Sequence, residues 1–205
     1  MKALFSGLLC VSVLASQSAI WEFDLGGKGG PGLLAANEVQ PNSSIATGKE
    51  LSYYEVPGIV YDDVAKTLEF HAGWGTHETV NGAQLTGHYI SSALYGPATM
   101  HENAARPLYS FDPSNGLMTG SDHSGRSALV HARVQLVELE GYSIAQQQAD
   151  LLASRWYFNV LSTAFESGEI RGQLMSVPEP RHYALASGAA LLAFAAVRRK
   201  FKNRP

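Results

Sequence analysis

Short runs of alternating apolar and polar residues dominate the chain between residues 21 and 174. In the run at 128–139, Val130, Ala132, Val134 and Leu136 fall on one face of an extended strand. A period of two, bounded by turn residues, is typical of β-strands. Such runs therefore predict an all-β fold, an antiparallel β-sandwich or Greek-key barrel. The other predicted strands are 51–56, 58–61, 67–71, 106–111, 156–161 and 169–174.

Residues 143–153 have helical spacing instead. Ile144, Leu151 and Leu152 share one helical face, and Ser143 is a suitable N-cap. We therefore expect one short helix before the strand at 156–161. The glycine-rich segment 26–32 predicts a loop, and it lacks the Lys-Ser/Thr ending of a phosphate-binding loop.

The N-terminus has the layout of a secretory signal peptide. Lys2 precedes an apolar stretch at 3–15, and small polar residues follow it. Cleavage is expected after Ser18 or Ala19, so residues 1–19 form the predicted signal. Because Cys10 lies within that segment, the mature chain is expected to have no disulfide.

The C-terminus, residues 177–205, has three parts. A Val-Pro-Glu-Pro motif precedes an apolar run at 183–197, and a basic cluster follows. Fifteen residues is short for a membrane helix, which needs about 20, and the basic end favours a cytoplasmic C-terminus. This order resembles the PEP-CTERM sorting signal of Gram-negative bacteria. The resemblance implies a single transient membrane anchor and processing by an exosortase-type enzyme. The residues concerned are Val177, Pro178, Glu179 and Pro180, and the basic residues Arg198, Arg199 and Lys200.

One domain, residues 20–176, lies between these two ends. Seven of the 15 Lys and Arg residues and one of the 18 Asp and Glu residues lie outside it, which leaves 8 bases and 17 acids, a formal charge of −9. Such a domain repels phosphate backbones, so a nucleic-acid partner is not expected.

The stretch WYFNVLSTAFESGEIRGQL, residues 156–174, reads as strand, loop and strand. It resembles the closing motif of the CHRD domain, which is named for chordin and is also found in exported bacterial proteins. Residues 33–50 resemble the opening motif of that family, and residues 85–98 resemble its central motif. The resemblance implies an extracellular β domain. The matching signature residues are Tyr157, Asn159, Gly168, Glu169, Arg171 and Gly172.

The signature places Glu169, Arg171 and Gln173 on one face of the last strand. Residues two apart on a strand are about 7 Å apart, near enough for an ion pair or for each to contact a neighbouring strand. We expect Glu169 and Arg171 to be a polar pair that specifies the fold, rather than catalytic groups.

The histidine pattern of the sequence gives little support for a metal site. The CHRD family often has two histidines in its central motif and one in its closing motif, but here the centre keeps only His88, and Leu161 replaces the closing histidine. A zinc site needs three or four converging ligands. His71, His77 and His88 are the candidates, and they would have to meet across strands.

No other catalytic arrangement is predicted, because the chain has no Gly-x-Ser-x-Gly elbow and no cysteine beyond the signal. We therefore expect no enzyme activity and no cofactor. The favoured function is an exported surface or matrix protein that binds exopolysaccharide or surface proteins. The alternative is a secreted metal-dependent enzyme of the superoxide dismutase-like sandwich type.

Overall fold

The computed structural model describes residues 19–52, 58–76, 79–104, 106–111, 125–177 and the backbone of 118–119. The predicted signal peptide, nearly all of the predicted sorting signal and His77 lie outside these ranges. Within them, no helix is long and apolar enough to span a membrane.

Antiparallel strands make up about half of the described chain. One α-helix, α1, spans Ile144–Leu152, and a single 3₁₀ turn spans Ala35–Asn37. The strands, in chain order, are β1 (Ile20–Gly27), β2 (Gly30–Pro31), β3 (Leu33–Leu34), β4 (Thr47–Glu50), β5 (Ile59–Asp62), β6 (Thr67–Trp74), β7 (Tyr89–Tyr95), β8 (Pro107–Phe111), β9 (Met118–Thr119), β10 (Ala128–Gln135), β11 (Tyr157–Ser162) and β12 (Phe165–Ser176).

The strands form two layers that are joined at their edges. In the first layer β6 pairs with β10 along one edge and with β5 and β4 along the other. In the second layer β8, β7, β11 and β12 are neighbours in that order. The first half of β1 pairs with β5 and its second half with β12, so β1 connects the layers. The expectation of an all-β sandwich with one short helix agrees with this arrangement.

Aromatic rings fill the space between the layers. The ring of Phe70 on β6 lies 4.9 Å from that of Phe158 on β11 and stacks 5.4 Å from that of Phe111 on β8. Offset and tilted ring pairs of this kind add about 0.5–1.5 kcal/mol each beyond the burial of their area. The inward face predicted for residues 130–136 is confirmed, because Val130, Ala132, Val134 and Leu136 are all buried.

Helix α1 begins where the sequence predicts. The Ser143 side chain accepts a hydrogen bond from the Gln146 backbone, and the Gln146 side chain accepts one from the Ser143 backbone, so the two form a capping box. The predicted inner face is confirmed, since Leu151 is buried in the core and Ile144 and Leu152 pack against it, but a polar residue also belongs to this face. Ile144 and Leu152 are only half-buried, whereas Gln147 is fully buried and donates to the carbonyl oxygens of Val137 and Tyr142.

Three local features differ from the sequence expectations. The predicted strand at 51–56 is not seen where it can be assessed, since β4 ends at Glu50 and residues 53–57 are outside the described ranges. The glycine-rich segment is a tight hairpin rather than a loose loop, with Gly27 paired to Gly30. Strands β1 and β7 were not among the predicted runs.

Candidate functional site

The signature residues form a polar cluster on the outer face of the second layer. Loops that carry residues 38–44 and 98–104 cover this face, so both faces of β11 and of residues 168–174 of β12 are largely buried. We call this group the signature cluster, and its side chains are those of Glu38, Tyr157, Asn159, Glu169, Arg171 and Gln173.

Arg171 holds the loop at 98–104 against the sheet. Its guanidinium donates to the backbone oxygens of Thr99 (2.9 Å) and Glu102 (3.0 Å) and to the side-chain oxygen of Asn103 (2.9 Å). The same group lies over the Tyr157 ring, 3.5 Å from its centre. Burial lowers the pKa of Arg171, and the nearby Tyr157 and Glu38 oppose that effect. These contacts use the planar fork that only arginine offers.

Gln173 and Tyr157 complete the attachment of this loop. The Gln173 amide donates to the backbone oxygens of Ala98 (2.9 Å) and Ser154 (2.8 Å). The Tyr157 hydroxyl accepts a hydrogen bond from the Ala104 backbone at 3.1 Å. Because each bond joins residues far apart in the chain, the cluster fixes tertiary structure rather than a local turn.

Glu169 contacts segments other than the loop at 98–104. Its Oε1 atom accepts hydrogen bonds from the Thr86 backbone (2.6 Å) and the Ser44 hydroxyl. Burial acts to raise the pKa of Glu169, but hydrogen bonds from Ser162, Ser44 and Thr86 outweigh it, and the net shift is downward. Sequence spacing predicted either an ion pair or contacts with neighbouring strands, but Glu169 and Arg171 are each hydrogen-bonded to residues outside the strands. Glu169 and Arg171 do not form an ion pair with each other.

Glu38 is a buried member of the cluster whose carboxylate is incompletely hydrogen-bonded. Its side chain is 5% exposed, and burial raises its pKa to about 7, although the charges of Arg171 and Lys28 and a hydrogen bond with Asn159 lower it. Glu38 Oε1, Asn159 Oδ1 and Glu169 Oε2 are buried without a hydrogen-bond partner in the described structure. Sequence reasoning missed Glu38, because it lies in the opening segment of the domain, more than a hundred residues from the closing motif.

A side chain is sterically excluded at both signature glycines, but by different neighbours. Gly168 has a φ of +136°, and a Cβ atom there would lie 2.5 Å from Glu38 Oε1 and 2.6 Å from Asn159 Nδ2. A Cβ atom at Gly172 would lie 2.9 Å from the Leu33 side chain. Gly168 is thus required by the signature cluster and Gly172 by the close approach of β3.

The structure describes two of the three histidine candidates, His71 and His88. His71 lies on β6, and its Nδ1 atom is 3.0 Å from Nδ1 of His131 on β10. His88 is exposed just before β7, and His77 is outside the described residues. Across the described ranges, no three His, Cys, Asp or Glu side chains converge as metal ligands. The pair of His71 with His131 was not predicted.

The profile of the CHRD domain family matches residues 32–174, which is well over half of the chain. The chain belongs to the CHRD domain family. No curated protein and no solved structure matched in the corresponding searches. The matched region begins just before β3 and ends in β12, so it contains both covering loops and the whole signature cluster of this CHRD domain.

An open cleft of about 330 Å³ lies beside α1 of the CHRD domain. Its lining combines apolar surface with hydrogen-bonding groups. Asp150 in its wall already accepts hydrogen bonds from Arg155 (2.8 Å) and Tyr142 (3.0 Å). No sequence signal marks the cleft, because its walls come from separate elements. They are formed by Gly96, Pro97, Arg106, Leu108, Gly141, Tyr142, Gln146 and Asp150.

Proposed function

We propose that the protein is an exported, non-catalytic binding or scaffolding component of the cell surface or extracellular matrix. The observation that carries this proposal is that the signature side chains are buried and form hydrogen bonds within the domain. Arg171, Gln173 and Glu169 are at most 1% exposed and are hydrogen-bonded to two covering loops. Groups committed in this way build a rigid framework, and they are not available to a substrate.

The cleft beside α1 is the surface that we assign to the partner. Arg106 and Gln146 present exposed hydrogen-bonding groups next to the apolar edge of Pro97 and Leu108. A shallow surface of mixed character suits a hydroxyl-rich polymer such as a polysaccharide. The negative charge of the domain disfavours acidic polymers, so a neutral polysaccharide is the expected class.

Localisation follows from the two ends of the chain. We propose export through the signal peptide, temporary anchoring by residues 183–197, and release by an exosortase-type enzyme near Val177–Pro180. Intact-mass measurement of the mature protein from the producing bacterium tests this step. We expect a chain that begins after Ser18 or Ala19 and lacks the basic end. A full-length tail on the surface protein would contradict processing.

Binding is tested by co-sedimentation of the full-length chain with exopolysaccharide from the producing culture. We expect Arg106→Ala to weaken sedimentation, because its guanidinium lines the cleft. Arg133→Ala is the matched control, since Arg133 is also an exposed arginine but lies on β10 in the other layer. Equal binding by both variants would place the partner elsewhere. Capture of a surface protein instead of the polymer would support scaffolding without polysaccharide binding.

A further inference from the structure

The first and last described segments of the chain lie side by side at one end of the sandwich. The backbone N–H of Val177 donates to the carbonyl oxygen of Glu22 at 2.9 Å. The backbone N–H of Ala19 donates to Asp63 Oδ1 at 2.9 Å, in the turn between β5 and β6. We call this part of the domain the tether end. It consists of residues 19–22, 62–66, 95–97, 106–108, 135–157 and 174–177.

The cleft beside α1 opens at the tether end. Helix α1 belongs to the connection from the end of β10 to the start of β11, so it lies across this end of the sandwich. Pro97 in the cleft wall follows the end of β7, and Leu108 lies at the start of β8. Since β7 is two strands away from β12, the cleft begins about 10 Å from the point where the chain leaves the sheet.

The chain between the domain and its apolar run is short. The run at 183–197 begins six residues after Val177, and six residues span at most about 22 Å. Strand β12 alone, with its 12 residues, extends over about 40 Å. Because the connection is shorter than the domain, a domain held by this run cannot turn its tether end away from the bilayer.

Exposed apolar side chains surround the tether end. Val64 is 63% exposed, Val137 is 47% exposed and Ile20 is 44% exposed. The pairing of β1 with β5 and of β6 with β10 brings their segments together. Such a surface suits contact with lipid. The exposed carboxylates of Glu22 and Glu138 oppose strong adsorption to anionic lipid, so this contact depends on the attached tail.

We propose that the anchored protein rests on the bilayer with its tether end, and that the cleft accepts a polysaccharide only after the tail is cut. This inference rests on the proposed function, since it takes over both the membrane anchor and the cleft as the binding surface. The bilayer beside the cleft excludes a long polymer while the protein is still anchored. Processing by the exosortase-type enzyme therefore releases the protein and opens its binding surface in one step.

The orientation is tested by energy transfer on the full-length chain in lipid vesicles. A donor dye is attached to Glu140→Cys, beside the cleft, or to Glu166→Cys, each in a Cys10→Ser background, and the acceptor is on the lipid headgroups. Both glutamates are exposed, and Glu166 lies on β12 about 33 Å from its Ser176 end. We expect stronger transfer from position 140. Equal transfer, or stronger transfer from position 166, would overturn the proposed orientation.

The effect on binding is tested with a longer connection. An insertion of about 30 Gly and Ser residues after Pro180, with a mean span of about 30 Å, leaves the domain and the apolar run unchanged. In vesicles, we expect the lengthened chain to bind several-fold more exopolysaccharide than the wild type and to show weaker transfer from position 140. Equal polymer binding by the two chains would overturn occlusion of the cleft.

Two further outcomes separate this inference from the proposed function. If neither chain bound the polymer in vesicles or free of lipid, the binding function would fail and occlusion with it, whereas energy transfer would still decide the orientation. If the wild-type chain did not float with the vesicles, the anchor itself would be refuted, and the orientation with it.

Discussion

Replacing Glu38 with glutamine should stabilise the protein at alkaline pH. Glu38 is buried in the signature cluster, and its pKa is raised from 4.5 to about 7 because burial penalises the charged carboxylate. The folded state therefore prefers the neutral acid. Glutamine keeps the size of the side chain but carries no charge at any pH. Its amide can also donate to Asn159 Oδ1, which has no partner in the described structure.

The magnitude follows from the displaced pKa. A rise from 4.5 to about 7 corresponds to about 3 kcal/mol of differential interaction between the two protonation states. Because the pKa is raised on folding, the favourable contribution of this group is fully present below pH 4.5. It is lost as the pH rises through about 7, and above that pH the ionised carboxylate costs the full amount.

The assay is urea unfolding of wild type and Glu38→Gln at about pH 5 and about pH 8. We expect the variant to be more stable by up to about 3 kcal/mol at the higher pH, and within about 1 kcal/mol of wild type at the lower pH. The difference between the two proteins is the quantity to compare. His71, whose lowered pKa destabilises the fold as the pH falls, then contributes equally to both.

The control is Glu22→Gln, which removes an exposed carboxylate from β1. It should leave stability nearly unchanged at both pH values. If Glu38→Gln destabilised the protein equally at both pH values, the reasoning would be refuted. In that case the charge of Glu38 would be needed to balance the buried Arg171.

The remaining predictions concern the other parts of the signature cluster. Gly168→Ala should cost about 2–4 kcal/mol in urea unfolding, because it adds a clash with Glu38 to an unfavourable backbone conformation. Gly141→Ala is its control, since φ there is +70° but no atom lies within 4 Å, and it should cost only about 1–2 kcal/mol. Equal losses of stability in Gly168→Ala and Gly141→Ala would contradict the steric argument. Arg171→Lys should cost about 2–4 kcal/mol, because an ammonium group cannot replace the fork that holds Thr99 and Glu102. A lysine variant as stable as wild type would show that the loop is held by other contacts.

The helix start and the strand faces were determined by the sequence. Ser143 provides a cap whose bonds run to a residue three positions away, and such short-range bonds can be recognised from spacing. The inward face of β10 follows from alternation, since neighbouring side chains on a strand point to opposite sides. The closing motif also identified the family, because its residues lie within one short stretch of sequence, residues 156–174.

The partners of the polar residues were decided by the tertiary structure. Alternation placed Glu169 and Arg171 on one face, yet only the packed loops show that Glu169 bonds with Ser44 and Thr86 while Arg171 bonds with residues 99–103. Those partners are 68 to 125 residues away in sequence. The same holds for His71 and His131, which are 60 residues apart and meet only through strand register. Local propensity and periodicity act over a few residues, whereas burial and partner choice depend on which segments the whole fold brings together.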